Sequence, residues 1–166
     1  MIVMALLAPP AGPSALNAQS LWTVGPELSW SEGRRVGVGG RTDVLLTGQV
    51  RAYAQGVYYF PDTSHLVEPE ASAERKRIEL NLNIVREPVR WGGWLYLGAG
   101  LSWEWRSLEV AFEGLDERVT NSDWAANAII GVRKPGPGWV PHLELKRELW
   151  RLGWWVLTAG ASLPVG

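Results

Sequence analysis

The sequence predicts an all-β chain: eight antiparallel strands in up-and-down order, closed into a barrel that turns its apolar face outward. From Leu21 onward apolar residues recur with a period of two rather than 3.6. The opposite face of the same strands sets acids against bases in equal number. Tryptophan is abundant, at 11 of 166 residues against 2 phenylalanines. Its apolar ring and polar N–H suit a boundary between oil and water.

The first three strands are read in "LWTVGPELSW", "RVGVGGRTDV" and "QVRAYAQGVYYF", which alternate loosely but in the same sense. The fourth, "RIELNLNIV", is the clearest. Ile78, Leu80, Leu82 and Ile84 point one way; Glu79, Asn81 and Asn83 point the other. In the fifth, "WLYLGAGLSWEW", the apolar face is Leu95, Leu97, Ala99, Leu101, Trp103 and Trp105. Its other face reads Trp94, Tyr96, Gly98, Gly100, Ser102 and Glu104. The sixth, "WAANAIIGVR", presents Trp124, Ala126, Ala128, Ile130 and Val132. The seventh, "WVPHLELKREL", sets Trp139, Pro141, Leu143 and Leu145 against His142, Glu144, Lys146 and Glu148. The eighth, "WWVLTAGASL", sets Trp155, Leu157, Ala159, Ala161 and Leu163 against Val156, Thr158, Gly160 and Ser162.

The connections sort by end. The turns at 45–49, 86–93 and 134–138 are compact and rich in Gly or Pro. The segments 61–74 and 112–123 are expected to be long polar connections, and those around "SEGRR" and "RELWRLG" shorter ones. Neighbouring antiparallel strands then place the two kinds at opposite ends, and a meander is the economical topology.

Volume indicates which face is inside. Eight strands enclose a space that side chains just fill. Several tryptophans and many leucines turned inward would overpack it, whereas Gly98, Gly100, Gly131 and Gly160 leave room for longer polar chains. On this assignment the inward set carries Glu27, Asp43, Glu79, Glu104, Glu144 and Glu148 against Arg35, Arg41, Arg51, Arg77, Arg133 and Lys146; the apolar face carries only Arg147. Charge is costly on a lipid-facing wall, and isolated buried ions are costly inside one. A charge network across the lumen is therefore expected, built on Glu27, Arg41, Arg51, Glu79, Glu104, Arg133, His142, Glu144 and Lys146. Trp22, Trp30, Trp103, Trp105, Trp124, Trp139 and Trp155 are expected to form aromatic girdles at or near strand ends. The whole reads as a transmembrane β-barrel, in which every backbone group finds a partner.

Composition narrows the classes further. The net charge of −1 gives no bulk attraction to nucleic acid, and the absence of cysteine removes disulfides, thiolate catalysis and Cys-based zinc sites. No stretch approaches the roughly 18 apolar residues of a spanning helix. Residues 1–19 are expected to be an export leader with cleavage near Ala18, and 20–166 the barrel domain. No Lys or Arg precedes Arg34, so a flexible leader is the alternative.

The alternating segments resemble the small eight-stranded outer-membrane barrel family, the group that includes OmpA-, OmpX- and OmpW-like proteins. "LYLGAGLSWEW" resembles its fifth strand, "PHLELKREL" the seventh and "LTAGASL" the closing strand, over roughly residues 21 to 163. Members commonly finish on an aromatic residue; this sequence ends "SLPVG". The resemblance implies a bacterial outer-membrane location and, as partners, membrane lipid, lipopolysaccharide and the barrel-assembly machinery.

The expected function is a non-enzymatic, monomeric barrel with a filled, salt-bridged lumen and outward loops for envelope or surface contacts, without cofactor. The alternatives are a narrow OmpW-like channel for small solutes and a soluble lipocalin-like ligand-binding barrel. Lipid-modifying enzymes share the scaffold, but His142 has no serine two residues along, and His65, beside Ser64, is read as a solvated loop residue. The basic run Arg75, Lys76, Arg77 is placed to meet lipopolysaccharide phosphates. The glycines of 37–40 and 98–100 lack the strand-to-helix setting of a phosphate loop and are read as steric room.

Overall fold

The computed structural model describes residues 22–32, 35–65, 72–88, 94–112, 115–134, 138–149 and 153–165. The leader expected over 1–19 lies outside them. Alternating β-compatible segments form eight strands: β1 (Trp22–Ser31), β2 (Arg35–Thr47), β3 (Val50–His65), β4 (Ser72–Arg86), β5 (Leu95–Phe112), β6 (Leu115–Arg133), β7 (Val140–Glu148) and β8 (Trp155–Val165). Each pairs antiparallel with its sequence neighbours, and β1 pairs with β8, so the sheet closes into a barrel. Closure leaves the ring itself without an unpaired edge.

The parity of each strand decides its two environments. On β4, Ile78, Leu80, Leu82 and Ile84 are exposed, with Leu82 at 65%, while Glu79, between Ile78 and Leu80, is fully enclosed at 0%. The same alternation runs through β1, β7 and β8. The outer wall is thus apolar and the interior polar, the inverse of a water-soluble domain.

Glycine makes the crowded interior possible. A Cβ on Gly131 of β6 would run into the ring of Tyr96 across the sheet. One on Gly160 of β8 would lie 2.8 Å from the Glu27 side chain and 2.9 Å from His142. Both sites trade a side chain for the closeness of a larger neighbour.

Two sequence expectations are corrected. Segments 61–74 and 112–123 are largely strand rather than loop: β3 runs to His65, β4 starts at Ser72, and β5 and β6 pair from Leu95–Val132 out to Phe112–Leu115. Backbone pairing carries on where the apolar pattern stops, because outside an apolar band cross-strand charges replace leucines. Lys76 meets Glu109 at 3.0 Å, and Arg118 meets Glu109 at 3.5 Å. As a consequence, Trp103 and Trp105 sit in the middle of β5 and not near its end.

The strands are also unequal. β7 pairs with β6 only from Arg133 to Asn127, and β2 reaches β3 only as far as Tyr59. Residues 60–65, 72–76, 106–112 and 115–126 therefore rise past the ring as a sheet of four strands at the end where β1–β2, β3–β4, β5–β6 and β7–β8 connect. This is called the hairpin end below, and the opposite one the turn end.

Candidate functional site

Inward parity stacks the polar side chains in tiers along the barrel axis. At the turn end Arg133 Nη2 donates to Glu87 Oε2 at 2.6 Å, and Arg51 Nε lies 3.6 Å from the same carboxylate. Two arginines share one acid there, and Arg51 Nη1 and Arg133 Nε have no hydrogen-bond partner.

The next tier is saturated. Arg41 of β2 donates Nη2 to Asp43 at 2.8 Å and Nη1 to Glu144 of β7 at 3.0 Å. Its guanidinium lies 3.5 Å from the centre of the Tyr53 ring. Glu144 also accepts from the hydroxyls of Tyr53 at 2.7 Å and Tyr96 at 2.9 Å. Thr23 closes the tier on Asp43 at 3.2 Å. Five strands, β1, β2, β3, β5 and β7, are tied across the lumen by this group.

Above it, Glu27 accepts from Gln55 at 2.6 Å and lies 2.7 Å from His142 Nε2. The Lys146 ammonium donates to Glu79 and, at 3.0 Å, to Asn81. Asn81 joins Gln55 at 2.9 Å and Ser102 at 2.5 Å, and Asn127 joins Ser102 at 2.7 Å. At the hairpin end Arg77, 1% exposed, meets Glu104 at 2.6 Å, Glu79 at 3.0 Å and Glu148 at 3.5 Å. The rings of Tyr59 and Trp154 flank it at 4.5 and 5.0 Å. Glu104 also holds Arg106 at 2.5 Å.

All nine lumen residues named from the sequence, Glu27, Arg41, Arg51, Glu79, Glu104, Arg133, His142, Glu144 and Lys146, are buried inside the barrel. They are not one cluster. Arg51 and Arg133 belong to the turn end with Glu87, Glu104 to the hairpin end, and the others to the tiers between. Glu144 gathers Arg41, Tyr53 and Tyr96, and Asn81 gathers Gln55, Glu79, Ser102, Asn127 and Lys146.

Sequence reasoning passed over the tyrosines. Tyr53, Tyr59 and Tyr96 have inward parity and supply the hydroxyls and ring faces that join arginine to glutamate. Their signal was that parity: a large aromatic on the polar face is there to bond. Glu87 was hidden in a turn segment, and Trp154 opens "WWVLTAGASL", whose two faces were read only from Trp155 onward. Of the tryptophans, Trp22, Trp30, Trp124, Trp139 and Trp155 are exposed on the outside, as is Trp94, which the alternation had assigned to the polar face. Trp94 precedes β5 and so escapes its parity.

Chemically, the lumen consists of acids and bases that hold one another. Among the described residues, no group of three or more His, Cys, Asp or Glu is arranged to hold a metal ion. Among the described residues the inward positions are mostly polar or charged, with Val57, Val85, Ile129 and Val156 as buried aliphatic exceptions, whereas the large aliphatic side chains of the outer wall are exposed.

No protein-family model matches the sequence, and no curated protein matches it. Solved structures do match. Ail, the attachment invasion locus protein of Yersinia pestis, is similar with a TM-score of 0.57 and 11% identity, over 85% of this chain and 93% of Ail. A major outer membrane protein of Thermus thermophilus gives 0.56 and 11%, over 86% of this chain and 97% of that one. The N-terminal β-barrel domain of Pseudomonas aeruginosa OprF gives 0.52 and 15%, over 87% and 98% respectively. At such identities the likeness is one of fold, and the fold of this chain is that of the small eight-stranded barrels of bacterial outer membranes.

Proposed function

We propose that this protein is a non-enzymatic barrel of the bacterial outer membrane, closed to solutes, which anchors the raised four-stranded sheet on the cell's outer side. The observation that carries the reading is the Arg41–Glu144–Tyr53–Tyr96 tier. Charge-assisted bonds of 2.7 to 3.0 Å cross the lumen there, so a solute passing through would have to break several at once. The apolar wall, with Leu82 and Trp124 each 65% exposed, suits hydrocarbon and would be a liability in water. Membrane lipid covers that wall, and the cations beyond it are within reach of lipopolysaccharide phosphates. Insertion calls for the barrel-assembly machinery, and a ring without edges needs no second copy.

His142 fits a structural role, since its Nε2 faces Glu27 at 2.7 Å inside the barrel. The test is conductance of the full chain in planar bilayers. No steady current is expected. A steady current through the unaltered protein, changed by truncating Arg41, would overturn the closed lumen in favour of a narrow channel.

A further inference from the structure

At the turn end, guanidinium N–H groups outnumber the acceptors that reach them. Arg51 of β3 and Arg133 of β6 are 2% and 8% exposed, and both approach Glu87, itself 7% exposed. Arg133 Nη2 donates to one oxygen of that carboxylate at 2.6 Å. Arg51 Nε stands 3.6 Å from the other, beyond hydrogen-bond distance. Arg51 Nε, Arg51 Nη1 and Arg133 Nε are all buried without a hydrogen-bond partner.

The mismatch is one of position. Carboxylates crowd around other enclosed cations: Asp43, Glu144 and, at 3.9 Å, Glu27 around Arg41, and Glu79, Glu104 and Glu148 around Arg77. The acids of the tier next to the turn end are committed there. Asp43 holds Arg41 at 2.8 Å and accepts from Thr23 at 3.2 Å. Glu144 accepts from Arg41, Tyr53 and Tyr96. Val85, which pairs with Arg51 across to β4, belongs to a buried cluster with Tyr53, Tyr96 and Ile129, and its side chain offers no acceptor. Enclosed guanidinium N–H groups are costly in such surroundings, and an ion or water from outside the chain is the usual remedy.

We propose that Arg51 and Arg133 share a site for one monovalent inorganic anion of the chloride type. Two guanidinium groups facing one carboxylate leave a single positive charge on this tier, which one such ion neutralises. A divalent oxyanion would set its second charge against Glu87, the acid already in place. A spherical ion also accepts from several directions, which suits N–H groups that come from two different side chains. The site depends neither on which side of the membrane the hairpin end faces nor on whether the lumen conducts.

The experiment titrates the full chain, in micelles of a nonionic detergent, with sodium chloride against sodium gluconate at constant ionic strength, and reads the chloride-35 NMR linewidth. Saturable broadening that bromide reverses is expected. Arg51→Gln should weaken binding roughly tenfold, the worth of one charge-assisted contact. Leu45 of β2 is half-buried, shares the parity of Asp43 and pairs with Arg51. Leu45→Glu therefore supplies a carboxylate in place of the ion and should abolish the broadening in a folded barrel. Lys134→Gln, at an exposed cation of the same end, should leave it unchanged. Gel mobility with and without heating verifies that each variant is folded. If Arg51→Gln does not fold, Leu45→Glu decides. No saturable broadening, or broadening that neither bromide nor Leu45→Glu removes, overturns the proposal and assigns the spare N–H groups to water. Loss of the signal in Lys134→Gln also overturns it, by moving the ion to the exposed surface.

Discussion

Residues 77–86 and 72–76 belong to the same strand, β4, and are held by different physics. In the first stretch every second residue is sealed inside the ring: Arg77, Glu79, Asn81 and Asn83 are all at most 3% exposed and, Asn83 apart, bond side chains of other strands. In the second, Lys76 is partly exposed and meets Glu109 across to β5 in contact with water. Buried pairs cost much to desolvate and much more to break singly, while exposed pairs contribute about 0–1 kcal/mol. One strand therefore passes from a segment whose polar contacts are indispensable to one whose contacts are replaceable. The sheet above the ring is the part free to carry a binding surface, because its side chains are not needed to keep the barrel shut.

The largest effect should come from breaking the tier around Glu144. Glu144→Ala removes the shared acceptor of Arg41, Tyr53 and Tyr96, and leaves an enclosed guanidinium with Asp43 at 2.8 Å and Glu27 at 3.9 Å. A loss of about 3–5 kcal/mol is expected from urea unfolding of the reconstituted barrel. A change below 1 kcal/mol would show that water had replaced the carboxylate and that the tier is wet.

Next comes the wall. Leu82→Arg places a charge at a position 65% exposed on the apolar band. It should cost about 2–4 kcal/mol in lipid vesicles if the site lies near the midplane. The same substitution should be nearly silent if that wall faces water, so the size of the cost measured in vesicles discriminates directly.

The smallest effect belongs to the raised sheet. Arg118, with a side chain 57% exposed and 3.5 Å from Glu109, should tolerate Arg118→Gln within about 1 kcal/mol. A cost as large as that of Glu144→Ala would mean that ring and sheet are not held differently after all.

The legible part of this molecule was the part with a strict period. RIELNLNI on β4 and PHLELK on β7 alternate without interruption, and there the inside and outside of the barrel follow from the sequence alone. Glu79, Glu144 and Lys146 could be placed inside for that reason. The extent of β5 and β6 was not legible, since residues 106–123 lose the apolar alternation and their pairing is carried by the backbone. Nor was the role of Tyr53 and Tyr96, whose hydroxyls matter only because Glu144 arrives from the other side of the ring.

The class follows from the chain alone: a period of two, tryptophans along an apolar face, and glycines among charges allow few folds other than a barrel turned inside out. Which side chains meet is set by closure of the ring. Partners such as Arg41 and Glu144, or Arg77 and Glu148, come from strands far apart in the chain. They are brought together by the tilt and stagger of closure, which alternation within any one strand does not encode.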